Sequence, residues 1–186
     1  MGNLIPGLLS FPLAATGLML WRPEDPFQPL PLALLAAFPI LGWFALAFFG
    51  LWSNASMRTE LGQRYGRERG AASGPMLFVG MARPGFRSLL DPHEDIALLI
   101  FSPTELEVYG EKAHFKIPRV AITGVRLKSN THSWIALGGW ISIECGEQTF
   151  LIESRQSDIL LDNKLKRRSL AAQLEQWRTT GTLTTS

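Results

Sequence analysis

From Leu30 to Trp52 the chain runs for 23 residues, LPLALLAAFPILGWFALAFFGLW, without a charge and without Asn, Gln or His. As an α-helix this stretch is roughly 34 Å long, enough to cross a hydrocarbon core of about 30 Å. Pro31 falls in the first turn, where its missing N–H costs little, and Pro39 predicts a kink near the middle. Trp43, Phe44, Phe48, Phe49 and Trp52 gather toward the far end, as aromatics do at the headgroup level. A buried core helix is the competing reading. The length, the absence of polar atoms and the change of charge after Trp52 favour a membrane span.

The rest of residues 1–52 fits that reading. Leu4 to Trp21 is a second uncharged stretch of 18 residues, weakened as a helix by Pro6, Gly7, Pro12 and Gly17. Residues 1–5 carry no Lys or Arg and no small-x-small site precedes a soluble stretch, so it reads as a retained helix rather than a signal peptide. The link Arg22-Pro23-Glu24-Asp25-Pro26-Phe27-Gln28-Pro29 is short and turn-rich, as a helical hairpin requires. Residues 1–52 are therefore expected to form a transmembrane helical hairpin with spans at about 4–21 and 30–52. After Trp52, Arg58, Arg64, Arg67 and Arg69 outnumber Glu60 and Glu68, whereas the loop holds only Arg22. The positive-inside rule then puts both termini in the cytoplasm of a chain integral to the cytoplasmic (inner) membrane. Asn54-Ala55-Ser56 has the form of a glycosylation sequon but lies on that cytoplasmic side and carries no weight.

Residues 53–75 read as a basic juxtamembrane linker. Met57 to Arg69 is a candidate interfacial helix, with Leu61 and Tyr65 at i, i+4 and Arg58, Arg64, Arg67 and Arg69 available for lipid headgroups. Gly70-Ala71-Ala72-Ser73-Gly74-Pro75 follows as a flexible break.

From Met76 the period changes to short β-type runs: 76–81, 96–101, 105–109, 114–117, 120–128, 134–137, 140–145 and 148–153. Leu106 and Val108 are expected inward, with Glu105, Glu107 and Tyr109 outward. Gly138-Gly139 suggests a two-residue hairpin. Seven or eight antiparallel strands in under 80 residues indicate a small β-sandwich or partly open barrel. Ser157 to Arg178 has no Pro or Gly and reads as helix, with Leu170, Leu174 and Trp177 in one apolar stripe. Leu161 and Leu165 would lie on the opposite face, which predicts a break near Asp162 or Asn163. Residues 179–186 form a polar tail.

This order of strands closed by one amphipathic helix, together with the stretch Phe115-Lys116-Ile117-Pro118-Arg119-Val120-Ala121-Ile122-Thr123-Gly124-Val125, resembles the bacterial pleckstrin-homology-like and GRAM-like domains over residues 76–178. The resemblance implies two sheets packed nearly orthogonally, with Leu170, Leu174 and Trp177 as the plug of one open end. It also implies membrane attachment, common among bacterial members. Phosphoinositide-binding members carry basic residues in the first strand and the loop after it. Here Arg83 and Arg87 are followed by Asp91, Glu94 and Asp95, a departure that argues against inositol-phosphate binding.

Chemistry is sparse. His93, Glu94 and Asp95 are the densest ligand-type cluster, and an acid/base or metal site there is the alternative that an enzyme or transporter accessory subunit would need. Their spacing matches no catalytic or metal motif, so a solvated loop is expected. His114 and His132 read as surface residues, and Cys145, the sole cysteine, as an inert core thiol. Lys164, Lys166, Arg167 and Arg168 form a second basic cluster, read as a solvated face or a lipid contact. A net charge of +2, with acids and bases well mixed, gives no footprint for nucleic acid. The expected whole is an α+β chain without cofactor, metal or enzymatic activity: a membrane-anchored binding or scaffold module whose partners are the bilayer and either another protein or a second copy of itself.

Overall fold

The computed structural model describes residues 8–72, 74–86, 93–130 and 133–183, and for Trp134 the backbone alone. Residues 4–7 of the first expected span lie outside it, as do Ser73, Arg87, Asp91, His132 and the end of the tail.

Two apolar helices come first: α1, Phe11–Leu20, and α2, Pro29–Phe49. Phe11 meets Phe38 with ring centroids 5.1 Å apart, while Gly17 lies against Pro31 and Leu35. As the number rises along α1 it falls along α2, so the pair is antiparallel. Gly17 permits the approach, since a Cβ there would come within 3.0 Å of Leu35 Cγ. The described residues form a helical hairpin but not the two full spans expected of a transmembrane one. α1 has 10 residues, about 15 Å, half of a hydrocarbon core. Among the described residues only the helical run Pro29–Arg69, which contains α2, is long and apolar enough to cross. Pro39 sits inside α2, whose 21 residues continue on either side of it.

A turn at residues 50–53 leads into α3, Asn54–Arg69. Seven strands follow: β1 Met76–Ala82, β2 Asp95–Phe101, β3 Glu105–Gly110, β4 His114–Pro118, β5 Gly124–Lys128, β6 Trp140–Cys145 and β7 Gln148–Ser154. They form one antiparallel sheet in the order β4-β3-β2-β1-β7-β6-β5. The long strand expected over 120–128 is split: Arg119–Ala121 makes a 3-10 turn and only Gly124–Lys128 pairs. The run 134–137 is not a strand either. Ser133–Ile135 is a 3-10 turn, so Gly138-Gly139 joins no hairpin. The Ser133 hydroxyl donates to Asn130 Oδ1 and Gly138 O while receiving the Asn130 N–H, a local network that competes with strand pairing.

The sheet is open but strongly curled. Phe115 on β4 stacks on Phe150 of β7 at 5.0 Å between centroids, although three strands separate them in the pairing order. In a flat sheet those strands would be about 19 Å apart. The space enclosed by this curl holds the main core, with Val79, Leu99, Phe101, Leu106, Val108, Ile141, Ile143 and Ile152 from the strands. It is closed by α4, Leu160–Thr180, which contributes Leu170, Leu174 and Trp177. Trp177 meets Phe101 edge-on and its indole N–H donates to the Ser102 carbonyl at 2.9 Å. The expected break near Asp162 is absent. Asn163 instead locks the start of α4, its Oδ1 receiving Ser157 N–H and its Nδ2 donating to Ser157 O and Ile159 O. Leu165 accordingly stays on the outer face of one continuous helix, 72% exposed.

The other face of the sheet is covered as well, which the sequence reading missed. α3 lays Leu61 and Tyr65 on Phe78, Ile96, Leu98, Ile100 and Tyr109. Tyr109 and Glu107, expected outward into water, are buried beneath it. β2 therefore has all seven residues buried, as a central strand between two layers must.

Leu174 is 1% exposed at the centre of the main core. Leu174→Ala is expected to cost about 2–5 kcal/mol, the usual range for a buried leucine. Denaturant melts of the detergent-solubilised chain measure this, and a loss below about 0.5 kcal/mol, typical of surface changes, would contradict the docking of α4.

Candidate functional site

His93, Glu94 and Asp95 are consecutive but serve three separate places. The His93 side chain is 5% exposed, with Nε2 3.0 Å from Glu153 Oε2 on β7. It reaches that strand by crossing β1 at Gly80, which pairs with Glu153 and whose missing side chain leaves the room the imidazole occupies. Trp140 packs edge-on to the imidazole at 5.3 Å, and the second Glu153 oxygen accepts the Gly139 N–H at 2.9 Å. His93 thus belongs to a packed, hydrogen-bonded unit and not to the solvated loop expected from its neighbours.

Glu94 turns the other way, onto Arg83, whose guanidinium holds its carboxyl below the usual carboxylate range. Asp95 faces the β3–β4 turn, where its oxygens accept the N–H groups of Ile96, Lys112 and Ala113 at 2.8–3.2 Å. A carboxylate with several backbone donors is a turn-fixing device. The three side chains do not converge, and among the described residues no group of three His, Cys, Asp or Glu is placed to hold a metal ion. His114 is paired with Glu107 at 3.0 Å.

The basic residues of α3 point largely into the domain. Arg64 donates to Gly110 O at 2.8 Å and to the Tyr109 hydroxyl at 3.1 Å, and its guanidinium lies over the Tyr109 ring. The Tyr109 hydroxyl in turn donates to Glu68 at 2.6 Å. Arg69 sits 4.0 Å from Glu107 and against His114, and Arg58 donates to Gln156 O. Arg67 is exposed. Ahead of them Asn54, fully buried, donates its amide to the carbonyls of Arg155 and Ser157. An amide so placed is closed to glycosylation.

The second basic cluster occupies the first half of α4. Burial pushes the ammonium pKa of half-buried Lys164 down, with Arg167 adding to the shift. Lys166 pairs with Asp162 at 3.1 Å, a contact that holds the Asp162 carboxyl below its ordinary range. Arg167 reaches the Lys128 carbonyl at 3.5 Å, and Arg168 is exposed. Beside this run a groove of about 550 Å3 opens between β1, β7 and α4, lined by Met76, Leu77, Ser154, Lys166, Ser169 and Leu170 among others. Its size falls in the range of ligand sites, but Lys166 is its sole charged lining group and is already paired. The residues whose structural roles sequence reasoning missed, Asn54, Glu153 and Asn163, are single polar positions in otherwise ordinary stretches. Only the fold brings them to their partners.

Two outcomes test this account. His93→Ala leaves Glu153 buried with one partner fewer and is expected to cost about 2–4 kcal/mol, whereas Glu94→Gln, which breaks a surface pair, should stay within about 0.5 kcal/mol. Equal effects in denaturant melts would contradict the burial of the histidine. Burial also pushes the Cys145 thiol up, so thiolate is scarce at neutral pH. Alkylation of the folded chain should be slow and should accelerate on unfolding or as the pH rises; a rate equal to that of a free thiol would contradict it.

In comparisons with known proteins, no family model and no curated sequence matches the chain.

Proposed function

We propose that this chain is a membrane-anchored binding module, a pleckstrin-homology-like β domain held at the cytoplasmic face by the α1–α2 hairpin, and not an enzyme. The observation that carries the anchor is exposure. Of the large apolar side chains exposed among the described residues, fifteen lie in residues 8–52 and seven in all the rest. Leu9, Met19, Phe27, Ile40, Phe49 and Trp52 are each more than half exposed. So many exposed large apolar side chains gathered on two helices mark a surface that needs a partner, as large exposed apolar patches do. Buried in lipid, the same surface costs nothing. In this reading α2 spans and α1 lies against it within the same leaflets.

The domain reading draws support from the strand order and from one C-terminal helix closing a curled seven-stranded sheet. Binding is favoured over catalysis because His93, Glu94 and Asp95 are committed to separate structural contacts. The partner is the lipid bilayer, joined by a protein partner or a second copy.

Membranes washed with alkaline carbonate should retain the full chain; its release into the soluble fraction would refute the anchor. In a Cys145→Ser background, a cysteine at Gln28 should react with an impermeant thiol reagent from outside, and one at exposed Arg67 only after permeabilisation. The reverse pattern would invert the topology.

A further inference from the structure

The first half of α4 carries a stripe that faces away from the main core, with Leu161 and Lys164 half-buried and Leu165 and Arg168 exposed. Leu161, Lys164, Leu165 and Arg168 follow one another at i, i+3, i+4 and i+7 and so share a face. That face lies opposite Asn163, Leu170, Leu174 and Trp177, which are buried. Leu165 is 72% exposed and Ile159, just before the helix, 38%. Residues 159–168 hold four cations and one acid, Asp162, which Lys166 neutralises. Apolar side chains set between cations make this face amphipathic. They suit the headgroup layer of an anionic membrane, where leucine enters the acyl boundary and the long basic side chains reach back to phosphate.

The position of this stripe relative to α2 supplies the second observation. The Trp43 indole N–H donates to the Ile135 carbonyl at 2.7 Å, and α4 packs against α2. Trp43 lies six residues, about 9 Å, inside the end of α2. Beyond that contact Phe44, Phe48, Phe49 and Trp52 remain exposed. Trp43 belongs to the aromatic cluster that ends α2, so this contact sets the domain beside the end of α2 where those rings meet the interface. We infer that the Ile159–Arg168 face of α4 is seated on the anionic leaflet that α2 enters, fixing the domain's orientation on the bilayer. This rests on the reading of α2 as a membrane span.

The test uses the full chain in a Cys145→Ser background, reconstituted in phosphatidylcholine vesicles with or without phosphatidylglycerol. A fluorophore is attached at one of three single cysteines and challenged with lipids spin-labelled at shallow or deep acyl positions. Leu165→Cys reports the stripe. Leu41→Cys reports the interior of α2. Val120→Cys, 89% exposed beside Arg119, which donates to the Arg178 carbonyl near the other end of α4, is the control in water. Expected are deep quenching at 41, shallow quenching at 165 and none at 120. Lys164→Gln with Arg168→Gln should lower the docked-to-undocked ratio at 165 by roughly tenfold on anionic vesicles while leaving quenching at 41 intact. The melt of that double variant in detergent, expected unchanged, separates lost docking from misfolding. Quenching at 41 without quenching at 165 overturns the docking and spares the anchor; no quenching at either overturns both. A blue-shifted but unquenched label at 165 in a dimeric sample assigns the stripe to a second copy and overturns the docking.

Discussion

At the junction between the apolar helices and the sheet lies a fully buried amide, that of Asn54. Asn54 opens α3 five residues after α2 ends at Phe49, and its side chain has no exposure to solvent. By donating to the carbonyls of Arg155 and Ser157, it fixes the end of β7 to the start of α3. Ser157 is also held by Asn163 at the start of α4, so two amides tie three elements together through one short segment. Buried carbonyls left without donors are costly, which is why such a segment can be ordered by a few amides and disordered by the loss of one. With that junction set, α3 has only one direction to run: across the outer face of β1, β2 and β3.

The docking of α3 changes the meaning of its arginines. A free amphipathic helix with flanking cations would lie on a lipid surface. Here the helix has a better apolar partner in Phe78, Leu98 and Ile100, and Arg64 closes the contact by donating to Gly110 O and stacking on Tyr109. A guanidinium suits this use because its planar fork hydrogen-bonds and stacks at once, which an ammonium cannot do. The positive charge that sets the expected topology and the hydrogen bonds that seat the helix are therefore supplied by the same side chains.

Much of this was legible in the sequence. The 30–52 stretch, most strand positions and the Leu170, Leu174, Trp177 stripe follow from hydrophobic period alone. What was not legible depended on contacts distant in the chain. Tyr109 and Glu107 alternate with Leu106 and Val108, and alternation normally means one face in water. The contrary signal lay in the neighbouring strand, where Ile96 to Phe101 is apolar at every position and so demands cover on both sides. His93 was misplaced for a similar reason. Its neighbours Asp91, Glu94 and Asp95 give the segment a solvated composition, while its partner Glu153 lies 60 residues away and the gap that admits it is a missing side chain at Gly80.

That a histidine and a glutamate should be buried together in a domain of this size calls for a physical reason beyond packing. Breaking such a pair is expensive, although replacing both partners with apolar residues is often neutral. What the pair adds is direction. Glu153 takes one N–H from Gly139, just before β6, and one from His93, two residues before β2. The connection ahead of Gly139 carries Ile135, whose carbonyl receives the Trp43 indole. A chain of hydrogen-bonded and packed groups thus runs from the sheet through Glu153 and Gly139 to the loop that touches α2. An apolar substitute would fill the volume but would leave the Gly139 N–H without its acceptor and that loop without its tether. Through Gly139 the buried pair is joined to the loop whose Ile135 carbonyl receives the Trp43 indole, one of the places where the β domain meets α2.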